Sequence, residues 1–373
     1  MSSTIADRCS TLVGRTGGYM RAVAFMLLAG ALLGPIAAAD TKPGAVDLAR
    51  PHAIAVDAAP IRAFERGGGS RTRFGSLEFR GGLTISSANR HFGGFSGLVL
   101  DRGGKRLLAV SDAGAWMTAD LVYDGARLSG MRTVEIGPLA AVGGRLLTRS
   151  RDFDAEAVRL VSGTLDKGIA LIAFEQNHRI GLFEVTRNGV AAPTSYLKPS
   201  PDWPRMTRNK SLESVAVIEG GPAKGAIVAF AERKIDPTGH HSGWIWPAGV
   251  ASAPQRMALA RGSGSFEITD VAALRDGALV ILERSFAWTE GIKMRLRLIE
   301  ASSVRAGTVL DGPVLFEADM GYDIDNMEGL AVHEAGGETL LTLISDDNFN
   351  RFLQRTILLQ FALKREQVTA RAR

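Results

Sequence analysis

The sequence predicts an all-β protein, folded as a single β-propeller of four-stranded blades. Three observations carry this. Five segments share one pattern, a polar residue followed by small or apolar residues: Ser96–Leu100, Glu156–Leu160, Glu213–Val217, Asp270–Leu274 and Glu328–Val332. Their leading residues recur at a nearly constant interval of about 58 positions, the mark of a repeat architecture. Each is followed by a turn and a second, continuously apolar run that ends in an acid, as in Leu171-Ile172-Ala173-Phe174-Glu175 and Leu279-Val280-Ile281-Leu282-Glu283. A run with no polar alternation fits a strand buried on both faces, as between stacked blades. Counting the repeats gives five blades. A sixth remains open if the residues before Gly93 form a degenerate one.

Taken in order, the chain opens on a segment with the signature of an export signal. Arg15 and Arg21 precede the apolar run 22–33, Gly34-Pro35 breaks it, and Ala37-Ala38-Ala39 offers a small-residue cleavage site before Asp40. Residues 1–39 are therefore read as a signal peptide, with Met20 as an alternative start, and the protein as periplasmic or secreted. Its removal would lower the formal charge of +5 by two and take away Cys9, the only cysteine. The mature chain would have no disulfide and no thiolate. Residues 40–72, with Pro43, Pro51, Pro60 and Gly67-Gly68-Gly69, read as a leader arm, and residues 73–373 as the propeller domain. A strand near Leu77–Ile85 has no hairpin of its own, and one at Thr356–Leu363 has no partner after it. Pairing the two would close the ring and remove both edges.

With 46% hydrophobic and 22% charged residues the composition is that of an ordinary globular chain. No block of Lys or Arg stands out, which argues against nucleic acid as a partner. No apolar run after residue 39 is long enough to span a bilayer. The expected state is a monomer that takes a small-molecule ester.

In a propeller the first strand of each blade lines the axis, so the repeated acids would share a ring. Glu156, Glu213, Asp270 and Glu328 are the candidate catalytic residues, with Ser96 in the equivalent place in the first repeat. Asp112, Glu175, Glu232, Glu283 and Asp346 end the second strands; with Asp154 they are the candidate metal ligands. So many acids in one basin repel unless something neutralises them. Oxygen-only donors favour a hard divalent cation, calcium above all, and the absence of cysteine disfavours zinc. Arg179, Arg233, Arg284 and Lys210 lie beside these acids in sequence and are candidates for holding a phosphate group. Taken singly, such acids more often cap turns or pair with a neighbouring arginine, as Glu232-Arg233 and Glu283-Arg284 would. His240-His241, close to Trp244 and Trp246, reads as a polar loop with the indoles packed on a blade.

Several short stretches resemble one family: Gly93-Gly94-Phe95-Ser96-Gly97, Asp154-Ala155-Glu156-Ala157, Asn209-Lys210-Ser211-Leu212-Glu213, Asn326-Met327-Glu328-Gly329-Leu330 and Ser345-Asp346-Asp347-Asn348-Phe349. They are similar to the bacterial propeller family named for the esterase-like activity of phytase. The resemblance runs from about Phe74 to Leu363. It implies an exported propeller whose repeat-related Glu and Asp residues act in phosphoester hydrolysis, on phytate or a phosphodiester. Ser96, where an acid would stand, departs from a symmetric ring. Two rival functions stay open: a non-catalytic binding propeller braced by calcium, and a metal-dependent hydrolase of lactones or carboxylic esters.

Overall fold

The computed structural model describes residues 48–206 and 211–365. The proposed signal segment and Lys210 lie outside them. Among the described residues the chain forms five sheets, and helix is confined to isolated turns such as Ser150–Phe153. The five sheets are the blades of a β-propeller, five rather than six. No helix among the described residues is long and apolar enough to cross a membrane.

Each blade is a meander running from the axis outward. The inner strands are Phe95–Leu100, Ala155–Gly163, Leu212–Val217, Glu267–Ala273 and Met327–Ala335, and each neighbours the next in a closed cycle. The second strands, Arg106–Ser111, Lys167–Phe174, Ile227–Ile235, Leu279–Ala287 and Glu338–Ser345, pair with them in antiparallel register. These are the apolar runs of the sequence. Leu107, Leu171, Val228, Ile281 and Leu343 in their middles are all buried, as a strand sandwiched between blades requires.

The ring closes within the fifth blade. Thr356–Leu363 pairs antiparallel with Leu77–Ser86, so one sheet is built from both ends of the domain. Residues placed by sequence in the leader arm also join the sheets. Asp57–Ile61 pairs with Leu77–Ser86, and His52–Ala53 pairs with the fourth strand of the first blade, Arg127–Pro138. Both are outermost strands, the position where Pro60 can sit without removing a needed donor.

A separate apolar core fills the space between each neighbouring pair of blades. Between the second and third, for example, Leu171, Ala173 and Ile180 pack against Val215, Ile227 and the indoles of Trp203, Trp244 and Trp246, which meet edge to face. His241 is buried at the start of the strand His241–Trp246, so the tryptophans beside it serve packing. Each large aliphatic side chain buried this way contributes roughly 1.5–3 kcal/mol.

The axis itself is plugged by an ion pair. Arg159, on the second inner strand, reaches across to Asp270 on the fourth at 2.6 Å. Its guanidinium also donates to the carbonyls of Leu98, Val158, Val271 and Leu330, so one side chain ties together the inner strands of four blades. Asp270 accepts in addition from the N–H groups of Val271 and Leu330. Arg159 floors a cavity of about 1010 Å3, which opens at the end of the axis where the inner strands finish. The acids described next lie at the opposite end, where the inner strands begin, and none of them lines that cavity.

Candidate functional site

Every inner strand carries a β-bulge near its start. The ladder skips Ser96, Glu156, Glu213, Thr269 and Glu328, leaving each as the extra residue opposite its second strand. A bulge bends the strand and re-aims the extra side chain. These five are therefore the structurally equivalent ring positions. In the fourth blade the ring residue is Thr269. Asp270 falls one position later, the place of Gly97, Ala157, Ser214 and Gly329. That place is cramped: a Cβ on Gly97 would lie 2.7 Å from Ala157 Cα. Asp270 is tolerated there because its carboxylate serves the Arg159 plug.

A second ring follows from the hydrogen bonds that close each bulge. The N–H groups of Asp112, Glu175, Glu232 and Asp346 donate to the carbonyls of Gly94, Asp154, Ser211 and Asn326, each two residues before its ring residue. In the fourth blade the matching pair is Glu267 with Arg284. Arg284, not Glu283, thus occupies the second ring. Glu283 points to the other face of its strand, where Arg297 holds it bidentately at 2.8 Å. A shift of one residue moves a side chain to the opposite face, which separates both Asp270 and Glu283 from the acids they match in sequence.

The second and third blades bring their acids together. Asp154, Glu156 and Glu175 each present a carboxylate oxygen within 4.8 Å of the others, as do Glu175, Glu213 and Glu232. Glu175 belongs to both triads, and all five residues are buried. Burial pushes the Glu175 carboxyl up to about 7; hydrogen bonds from Glu213 and the Ser211 N–H oppose the rise, and Asp154 adds to it. Burial likewise drives Glu213 well above the usual carboxylate range, reinforced by Glu156, Glu175, Glu232 and Glu328. In the fifth blade burial raises Glu328 to about 7 despite Arg284, and raises Asp346, with Asp112 and Glu328 contributing repulsion.

Among the described residues, Arg284 is a cation held within this acid cluster. It donates to Glu232 at 3.0 Å and to Asn326 Oδ1 at 2.8 Å, and its Nε lies 3.3 Å from Glu328. Burial alone would favour loss of its proton, but Glu328, Glu232, Glu213 and Asp346 outweigh that and hold the proton more firmly than usual. Asn326 also donates to Glu328 at 2.9 Å. Arg179 and Arg233 have other partners. Arg179 stacks on the Phe174 ring and donates to the carbonyls of Asp152 and Asn177. Arg233 is half-exposed and pairs with Glu267.

Thr269, Asn326 and Arg159 were not singled out by sequence. Arg159 had a signal: an arginine inside an otherwise apolar buried strand needs a partner. The Asn-Met-Glu order at residues 326–328 placed Asn326 two positions before a ring acid.

Fold and site together define a five-bladed propeller with a carboxylate-lined mouth at one end of its axis. The family model Phytase-like, esterase-like activity of phytase, matches residues 90–349, and the chain belongs to that family. No curated protein matches the chain. Among solved structures, that of U3-55K is similar at 14% identity with a TM-score of 0.35, over 77% of this chain and 74% of that one.

Proposed function

We propose that this protein is an exported, divalent-cation-dependent phosphoesterase with calcium as its ion. The observation that carries the reading is the pair of buried carboxylate triads sharing Glu175. Both consist of carboxylate oxygen alone, the donor set of a hard cation, and neither contains a histidine or cysteine. Asp154, Glu156 and Glu175 would hold one ion, and Glu175, Glu213 and Glu232 a second. Bound there, the cation supplies Lewis acidity toward an ester oxygen and charge neutralisation.

The protein's own groups do the rest. Arg284 stands at the edge of the acid cluster, aimed by Glu232, Glu328 and Asn326, and would donate to the anionic oxygens of a phosphate ester. Glu328, titrating near neutrality, suits proton transfer at the reacting oxygen. The Arg159–Asp270 plug keeps the acid mouth apart from the opposite cavity. Family membership supports an ester of a small molecule as substrate. The order of charge, apolar run and small residues before Asp40 supports export.

Purified protein should hydrolyse a model phosphomonoester, lose that activity in EDTA and regain it with calcium, and Glu213→Gln should not regain it. Metal-independent turnover, or a Glu213→Gln variant as active as wild type, would overturn the reading. A parallel screen of lactones tests whether carboxylic esters are the better substrates. Export is checked by fractionation and by a mature N-terminus at Asp40.

A further inference from the structure

We infer that Phe286 and Trp288 form a binding subsite for an apolar organic group of the substrate, an aryl or extended alkyl group attached to the ester. This rests on the reading of the carboxylate mouth as an ester-hydrolysing site. The strand Leu279–Ala287 has two faces. Glu283 lies on one and is turned to Arg297. Val280, Leu282 and Arg284 lie on the other; the first two are core between the fourth and fifth blades, and Arg284 enters the acid cluster. Phe286 continues that phase outward, two residues beyond Arg284, and Trp288 stands in the hairpin turn that follows the strand, its ring against Phe286. At about 3.3 Å per residue Phe286 stands roughly 7 Å past Arg284 along the strand.

These rings are exposed, Phe286 at 54% and Trp288 at 94%. They meet edge to face at 5.6 Å. The other tryptophans, Trp116, Trp203, Trp244 and Trp246, are buried. The hairpin that carries the pair is anchored. Ala287 pairs with Gly291, and a Cβ on Gly291, whose φ is +73°, would lie 2.7 Å from Met320 Cγ. The rings are thus presented at the tip of a hairpin seated against Met320, with Phe286 on the same strand face as Arg284. An indole and a phenyl ring offer large contact area at low entropic cost, which suits an apolar group adjoining an anionic head held by Arg284.

The experiment compares 4-nitrophenyl phosphate with glycerol phosphate on wild type and on Trp288→Ala and Phe286→Ala/Trp288→Ala, and measures how far phenylphosphonate and methylphosphonate shield the exposed tryptophan from acrylamide quenching. The expected result is a preference of kcat/KM for the aryl ester that falls about tenfold in the double variant, mainly through KM, and shielding by phenylphosphonate alone. Turnover with an unaltered preference and no shielding overturns the subsite. Shielding by phenylphosphonate without turnover of either ester supports the subsite and counts against the hydrolytic reading alone.

Discussion

Two sets of buried acids in this propeller look alike in sequence and have opposite surroundings. Asp270 and Glu283, in the fourth blade, are fully buried, and each faces an arginine. Glu156, Glu175, Glu213 and Glu232, in the second and third blades, are buried mainly against one another. The first set holds the ring together. The second crowds like carboxyls together with Arg284 at their edge, an arrangement that burial disfavours in its charged form and that a bound cation would complement. The difference lies in register: one residue of shift within the fourth blade turns its acids toward arginines and puts Thr269 and Arg284 where the other blades present ring residues.

The largest effect should come from breaking a paired acid. Arg159→Met strands Asp270 without its cation and leaves the carbonyls of Leu98, Val158, Val271 and Leu330 without that donor. Chemical denaturation should show a loss of about 3–5 kcal/mol. Adding Asp270→Leu should recover only part of it, because the carbonyls stay unsatisfied. A tolerant Arg159→Met would erase the distinction between the two sets.

The crowded set should behave the other way. Glu175→Gln removes a member of both triads, so turnover should fall at least about 100-fold, while the metal-free protein should melt at the same temperature or higher. A marked destabilisation of the metal-free form would mean that Glu175 is structural like Asp270.

The same contrast predicts a pH dependence. Glu175 and Glu328 are raised from 4.5 to about 7 by burial, so between those values the folded state holds more protons than the unfolded one. The contribution to stability is greatest below pH 4.5 and is lost as pH rises through 7. Metal-free protein should therefore lose at least about 1 kcal/mol over that interval, one pKa unit being about 1.4 kcal/mol. Excess calcium should flatten the curve, since a bound cation replaces the protons. A metal-free stability that rises steadily to pH 7 would contradict the crowding. The smallest effect is expected at the surface. Arg80 and Glu338 form a partly exposed pair at 2.7 Å in the fifth blade, and Glu338→Gln should cost no more than about 1 kcal/mol.

Blade number, ring closure and the buried second strands were legible because equal spacing and unbroken apolar runs have few other physical causes. The phase of the fourth blade was not. Asp270-Val271-Ala272-Ala273-Leu274 repeats the pattern of Glu156-Ala157-Val158-Arg159-Leu160, and only the bulge at Thr269 shows that the match is off by one. Bulges depend on cross-strand pairing, which local sequence does not display. Arg284, read from sequence as a candidate phosphate holder, stands in a ring position that the other blades fill with acid.

The central claim is that the acids of the second and third blades form a cation site. Calorimetric titration of EDTA-stripped protein with calcium, on wild type, Glu175→Gln and Glu338→Gln, tests it most directly. Wild type and Glu338→Gln should bind calcium saturably, and Glu175→Gln should show no binding at these triads. No binding by wild type, or equal binding by all three, would contradict it.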